Sequence, residues 1–160
     1  MLSHSRLLEL LSYEPESGSM TWRLARRGTA AGTPAGGSWG SKGYIGVCID
    51  GRHYFAHRLA WFYVSGDWPP QQIDHINGNR SDNRIENLRL ADQSHNNANS
   101  PKRQRNRSGF KGVSLHKGRW RAAITKGRKS THLGYFDTAE LAHEAYAAAS
   151  REKFGTYGRS

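Results

Sequence analysis

Residues 73 to 99 constrain the fold of this chain more than any other stretch. Ile73-Asp74-His75-Ile76 is a short apolar segment carrying two titratable side chains, and Asn77-Gly78-Asn79 follows it with turn formers. Ile85-Glu86-Asn87-Leu88-Arg89-Leu90 then returns as a second short strand, and a helix-compatible run with His95, Asn96, Asn97 and Asn99 comes next. Strand, loop, strand and helix follow one another with almost no chain to spare.

The polar residues in this outline suit one kind of chemistry. A hard divalent ion such as Mg²⁺ takes a few oxygen ligands and completes its shell with water and phosphate oxygens, which Asp74 and an Asn96 amide oxygen would allow. His75, beside the ligand, is then available as a base near neutral pH, while the ion stabilises charge on a phosphate and its leaving oxygen. Taken alone, Asp-His before Asn-Gly reads more readily as a polar turn. The flanking Ile73 and Ile76, the returning strand and the asparagine-bearing helix favour a phosphodiester-cleaving site.

The segment from about Tyr44 to Asn99 resembles an HNH endonuclease, of the phage and intron-type subgroup whose last motif residue is Asn, and the outline above is that of its ββα-metal finger. The resemblance implies His75 as general base, Asp74 as a metal ligand, Asn87 as the residue that holds the loop in shape, and Asn96 as the second ligand. His95 stands beside Asn96, and helix neighbours point about 100° apart, so only one of the two can face the ion; the spacing favours Asn96. His57, in His57-Arg58-Leu59-Ala60-Trp61, matches a recurrent family segment and reads as structural. One divalent ion is implied, Mg²⁺ first and Mn²⁺ second. Cys48 is the sole cysteine, which leaves no paired-cysteine zinc knot and no internal disulfide.

Charge divides the chain unevenly. Residues 1 to 101 hold ten Lys/Arg against nine Asp/Glu, whereas residues 102 to 160 hold fourteen against four, so nearly all of the net +11 follows the candidate site. That excess points to a polyanionic partner, and its placement assigns cutting and gripping to different modules. With 160 residues and 36% hydrophobic content, two small modules are expected rather than one large core. No apolar run approaches a membrane span, and Met1-Leu-Ser-His-Ser-Arg lacks a signal-peptide core, so the expected compartment is the cytoplasm of a bacterial or phage-infected cell, with no membrane and no obligatory protein partner.

Elsewhere in the first module, Leu7, Leu8, Leu10 and Leu11 predict a short helix, Met20-Thr-Trp22 a strand, and the Gly-, Ala- and Ser-rich stretch from Gly28 to Gly43 a surface loop, with Lys42 and Arg26-Arg27 within reach of phosphate. Tyr44–Ile49 and Arg52–Phe55 flank Asp50-Gly51, a strong hairpin signal. A helix from His57 to Val64 follows, closed by Ser65-Gly66 and Pro69-Pro70, with Leu59, Ala60, Phe62 and Tyr63 as core.

Residues 101–107 form a boundary linker whose Lys102, Arg103, Arg105 and Arg107 read either as a solvated tail or, preferably between two DNA-contacting modules, as phosphate contacts. Beyond it, three short strands precede a helix with Asp137 as candidate N-cap and an alanine-rich stripe at Leu141, Ala142, Ala145, Ala148 and Ala149. In the second strand Arg119 and Arg121 share a face opposite Trp120 and Ala122. Phe110-Lys-Gly-Val, Gly118-Arg-Trp-Arg-Ala-Ala-Ile, Leu133-Gly-Tyr-Phe-Asp-Thr-Ala-Glu140 and Ala145-Tyr146 resemble the AP2/ERF DNA-binding domain, whose three-stranded sheet reads the major groove. The resemblance makes Lys111, Arg119, Trp120 and Arg121 contact candidates, with Lys126 added from the strand pattern and Trp120 alternatively a core residue. His132 stands where that family usually carries Trp.

The sequence therefore predicts an α+β chain: an HNH module over 1–100 with its core at about 44–99, the linker, and an AP2-like domain over 108–160. The expected activity is homing-type, metal-dependent hydrolysis of duplex DNA by nicking or double-strand cleavage. The rival expectations are a non-catalytic AP2-type regulator that retains an HNH fold and an RNA-binding module.

Overall fold

Ser3 starts the first helix, its hydroxyl accepting the Arg6 N–H and so satisfying one of the amides that a helix start leaves bare. This helix, α1 (His4–Leu10), turns Leu7 and Leu10 inward. The protein is represented by a computed structural model, which describes residues 1–26, 28–101 and 106–158. The chain divides into two units, Met1–Leu90 and Ala91–Ser160.

In the first unit β1 (Leu11–Tyr13) and β2 (Met20–Trp22) make an antiparallel hairpin. A second sheet has the order β3 (Gly37–Trp39), β4 (Tyr44–Ile49), β5 (Arg52–Phe55), all antiparallel. The β4–β5 turn carries positive φ at both Asp50 (47°) and Gly51 (76°), the twist that a two-residue hairpin needs. Next comes α2 (Ala56–Ser65), ended by Gly66 at φ 81° with its N–H on the Phe62 carbonyl. β6 (Gln72–His75), one 3₁₀ turn (Ile85–Asn87) and β7 (Leu88–Ala91) complete the outline, and β6 pairs with β7. Leu7, Leu11, Val47, Ile49 and Leu59 lie at the centre of one continuous apolar core.

Two local differences from the sequence reading have physical causes. The expected loop from Gly28 to Gly43 contains β3, because the Trp39 indole lies flat on Gly46, where any Cβ would overlap it; a glycine-rich stretch hides a strand when glycine is the floor for an aromatic ring. The returning strand starts at Leu88 instead of Ile85, since Ile85–Asn87 winds into the 3₁₀ turn first.

The second unit opens with α3 (Gln93–Asn99), capped at its start by the Asp92 carboxylate, which accepts the His95 N–H. Although the sequence outline groups this helix with the first module, its Ala98 packs with Ile124, Tyr146, Ala149 and Phe154. The ammonium of Lys111 caps its other end through the carbonyls of Asn97, Ala98 and Ser100. β8 (Val113–His116), β9 (Arg119–Lys126) and β10 (Lys129–Phe136) form an antiparallel sheet with β9 in the middle. α4 (Ala139–Phe154) lies on one face, its small residues bringing it close: a Cβ on Gly112 would collide with the Tyr146 ring. Thr138, not Asp137, is the N-cap, because its hydroxyl accepts the Leu141 N–H. Among the described residues no helix is long and apolar enough to cross a membrane.

Candidate active site

β6 ends in Asp74 and His75, both withdrawn from solvent, at 7% and 4% exposure. Asp74 Oδ2 accepts from Nε and Nη2 of Arg89 at 2.9 and 2.8 Å, so the buried carboxylate is charge-balanced within its own hairpin. His75 Nε2 lies 3.4 Å from Asn83 Oδ1, and the Asn83 amide nitrogen donates to the Ser81 carbonyl. Since an amide oxygen only accepts, this contact selects the imidazole tautomer with its proton on Nε2 and its lone pair on Nδ1. Burial pushes the His75 pKa below the ordinary histidine value, against smaller opposing effects of Asn83 and Asp74. The ring is thus held neutral.

The loop between the strands is fastened at both ends by one side chain. Asn87 Oδ1 accepts the Asn77 N–H at 3.0 Å, and Asn87 Nδ2 donates to the Asp82 carbonyl at 2.8 Å. Its backbone carbonyl takes the Ile76 N–H at 2.9 Å. Inside the loop, Asn77 and Asn79 each accept a backbone N–H two residues ahead, and Asp82 accepts from Arg84, which chiefly lowers its pKa to about 2, and also from Asn77. From outside, the β1–β2 turn bears on this loop. The Tyr13 hydroxyl donates to the Asn83 carbonyl at 2.8 Å, Ile85 N–H reaches the Pro15 carbonyl, and a Cβ on Gly18 would overlap the backbone of Asn83 and Arg84.

Against His75 stands His57 on α2, ring centroids 5.0 Å apart and nearly perpendicular. It is 7% exposed, its Nδ1 is buried with no partner in the structure, and burial first and His75 second lower its pKa to about 3. Its ring stacks on Phe55 and meets Tyr44, as befits a packed residue.

Asp74, His75 and Asn87 therefore come together in the first unit. Asn96 lies half-buried on α3 in the second unit. Of the two candidates for the last motif position, His95 has its ring turned to Asp92 (Nδ1 to Oδ1, 2.9 Å), Tyr157 and Phe154. Among the described residues no three His, Cys, Asp or Glu side chains form a metal-holding group. The buried Asp74 carboxylate is a hard oxygen donor of the kind that a divalent ion keeping much of its water takes. Sequence reasoning missed Asn83 and Arg89, the immediate partners of His75 and Asp74.

The basic candidates divide. Arg27, Lys102, Arg103 and Arg105 lie outside the described residues. Arg107 is exposed, and Arg119 and Arg121 stand on the face of β9 opposite α4, with Arg119 near Asp137 and Arg121 Nε 3.5 Å from His132 Nδ1. Trp120 packs with Val113, Ala122 and Ala139 on the helix side. Lys126 shares that side, because residues 120, 122, 124 and 126 alternate onto one face, and its ammonium binds the Lys153 carbonyl.

Residues 54–98, from β5 through most of α3, match the family model described as HNH endonuclease. Protein 3.8 of Escherichia phage T7 is 34% identical over 106 residues, which cover 64% of this chain and 87% of that protein. The chain belongs to the HNH endonuclease family. As an HNH nuclease domain, the matched segment acts on DNA, and it contains Asp74, His75 and Asn87 together with Asn83 and Arg89. No solved structure matches the chain.

Proposed function

We propose that this HNH protein is a metal-dependent DNA endonuclease of the homing type, in which the first unit cuts and the sheet of the second unit grips duplex DNA in the manner of an AP2 domain. The observation that carries the reading is the neutral, tautomer-selected His75 beside the buried Asp74, on a loop braced by Asn87.

His75 Nδ1 accepts a proton from water as the water oxygen bonds to phosphorus and the P–O3′ bond breaks, leaving a 5′-phosphate and a 3′-oxygen that is protonated from solvent. Neutrality is the useful state, since a protonated imidazole has no lone pair to offer. Arg89 orients the Asp74 carboxylate and Asn83 orients the imidazole, so both groups are fixed in advance of the reaction. When bound, a divalent ion, Mg²⁺ or Mn²⁺, would stabilise the charge developing on phosphate; Asp74 and the Asn96 amide oxygen are the donors assigned to it. One such site cuts one strand, so a double-strand break requires two copies or two successive nicks. Arg119 and Arg121, on the sheet face away from α4, supply the grip, with Arg107 and the linker before it.

The test is nicking of supercoiled plasmid with Mg²⁺ or Mn²⁺, with and without EDTA, by wild type and His75→Ala. Metal-dependent nicking by wild type and its loss in His75→Ala are expected. Equal activity of the two proteins would remove His75 from the reaction.

A further inference from the structure

The first unit, nearly neutral in total, carries a sheet face that does not look like ordinary solvated surface. In β4 the side chains of Val47 and Ile49 point into the core, so Tyr44, Gly46 and Cys48 point out. Their cross-strand partners Trp39, Phe55 and His53 share that outward face. The rings run on from one another: Trp39 to His53 5.1 Å, Trp39 to Phe55 4.6 Å, Phe55 to Tyr44 5.1 Å, Tyr44 to His75 6.1 Å. An aromatic path thus leads across the open face of the sheet to His75.

Positive charge accompanies it. Arg26 lies 4.0 Å over the Trp22 ring and donates to the Cys48 carbonyl, while Arg80 lies 5.0 Å from the Tyr44 ring centroid and donates to the carbonyl of exposed Lys42. The unit's carboxylates at Asp50, Asp74 and Asp82 are matched to Arg6, Arg89 and Arg84. Arg26 and Arg80, neither of them in one of these pairs, flank the path at its two ends. A cavity of about 520 Å³ opens between Arg26 on Trp22 and the Trp39–His53 pair, with Gly46 and Cys48 in its lining.

We infer that the open face of β3–β5 is a second DNA-contacting surface, along which one strand of the substrate runs from the cut phosphate, its sugar-phosphate backbone on Arg80 and Arg26 and a base against Trp39. Rings that stack and cations that track phosphate are the two requirements of such a surface, and both meet here. The inference rests on the nuclease reading for its substrate and adds a place where the first unit selects DNA for itself.

Cys48 provides the readout, being exposed, within the cavity and the only cysteine of the chain. His75→Ala protein is treated with N-ethylmaleimide, an uncharged reagent, with and without supercoiled plasmid at low salt, and binding is followed in parallel by gel shift. Plasmid should slow alkylation of Cys48 severalfold, while leaving unprotected a reporter on α1 (Ser5→Cys in a Cys48→Ser background). In the otherwise wild-type protein Trp39→Ala should weaken plasmid binding by about tenfold, and Trp39→Phe should restore most of the affinity. Bound plasmid that leaves Cys48 fully reactive overturns the surface whatever the nicking result, and so does a Trp39→Ala protein that folds and binds as wild type. Protection of Cys48 without His75-dependent nicking would instead overturn the nuclease reading alone, and absence of plasmid binding would overturn both.

Discussion

His57 makes this protein sensitive to acid in a way that one substitution should remove. Its imidazole is 7% exposed, and burial with the neighbouring His75 lowers its pKa to about 3. In the unfolded chain the same group titrates near 6.5, so between those values the unfolded state takes up a proton that the folded state refuses. The stability linked to His57 is complete above pH 6.5 and is lost as the pH falls toward 3. Between pH 7 and pH 5 the loss from this one residue is about 2 kcal/mol. His57→Phe keeps the ring on Phe55 and against Tyr44 while removing the titratable, unpartnered Nδ1. Urea unfolding at pH 7 and at pH 5, followed by tryptophan fluorescence, reads the first unit, where four of the five tryptophans lie. The variant should lose about 2 kcal/mol less than wild type over this interval, whatever its stability at pH 7. His75 titrates in the same direction but is present in both proteins, so the difference isolates His57. Equal losses in the two proteins would refute the assignment of a suppressed proton to His57.

Three further outcomes are expected. Arg89→Met strands the Asp74 carboxylate in a buried hairpin and should cost about 3–5 kcal/mol in thermal or chemical unfolding, the penalty for an unpaired buried charge; a loss below about 1 kcal/mol would mean that the ion pair is solvated. Asn87→Ala removes both side-chain hydrogen bonds that tie Asn77 and Asp82, so nicking should fall more steeply than stability, which drops by about 1–3 kcal/mol; a variant that unfolds more easily but cuts at the wild-type rate would separate Asn87 from the site. Lys111→Met should loosen the end of α3, raising amide exchange at Ser100 and destabilising the second unit, while leaving the salt dependence of DNA binding unchanged. A phosphate-contacting lysine would instead lower the salt slope by about one.

What the sequence disclosed and what it hid follow from the range of the forces involved. The Asp50-Gly51 hairpin and the helix after it are set by local backbone preferences, and both stand within a residue or two of their expected bounds. The loop-strand outline around Asp74 and His75 was legible for the same reason. Asn83 was not, because Asn79-Arg-Ser-Asp-Asn83 presents several polar side chains of similar size and only the closing of the loop turns one of them toward His75. Arg89 left a faint signal: a charge between Leu88 and Leu90 in a short strand must face something, and a buried carboxylate in the partner strand answers it. β3 and the placement of Lys126 and Lys111 depend on packing between distant residues, on Gly46 under Trp39 and on the two ends of helices, which no local pattern announces.

The grip of the β1–β2 turn on the loop at 83–85 bears on how this nuclease can be taken apart. Tyr13, Pro15 and Gly18 are all far upstream of the segment that the family shares, yet each is keyed into the backbone that holds His75's partner. Residues 54–98 are consequently not a portable cassette. Grafted into another protein without the first twenty residues, the finger would keep its motif and lose its brace, so any excision must carry the β1–β2 turn along with residues 54–98.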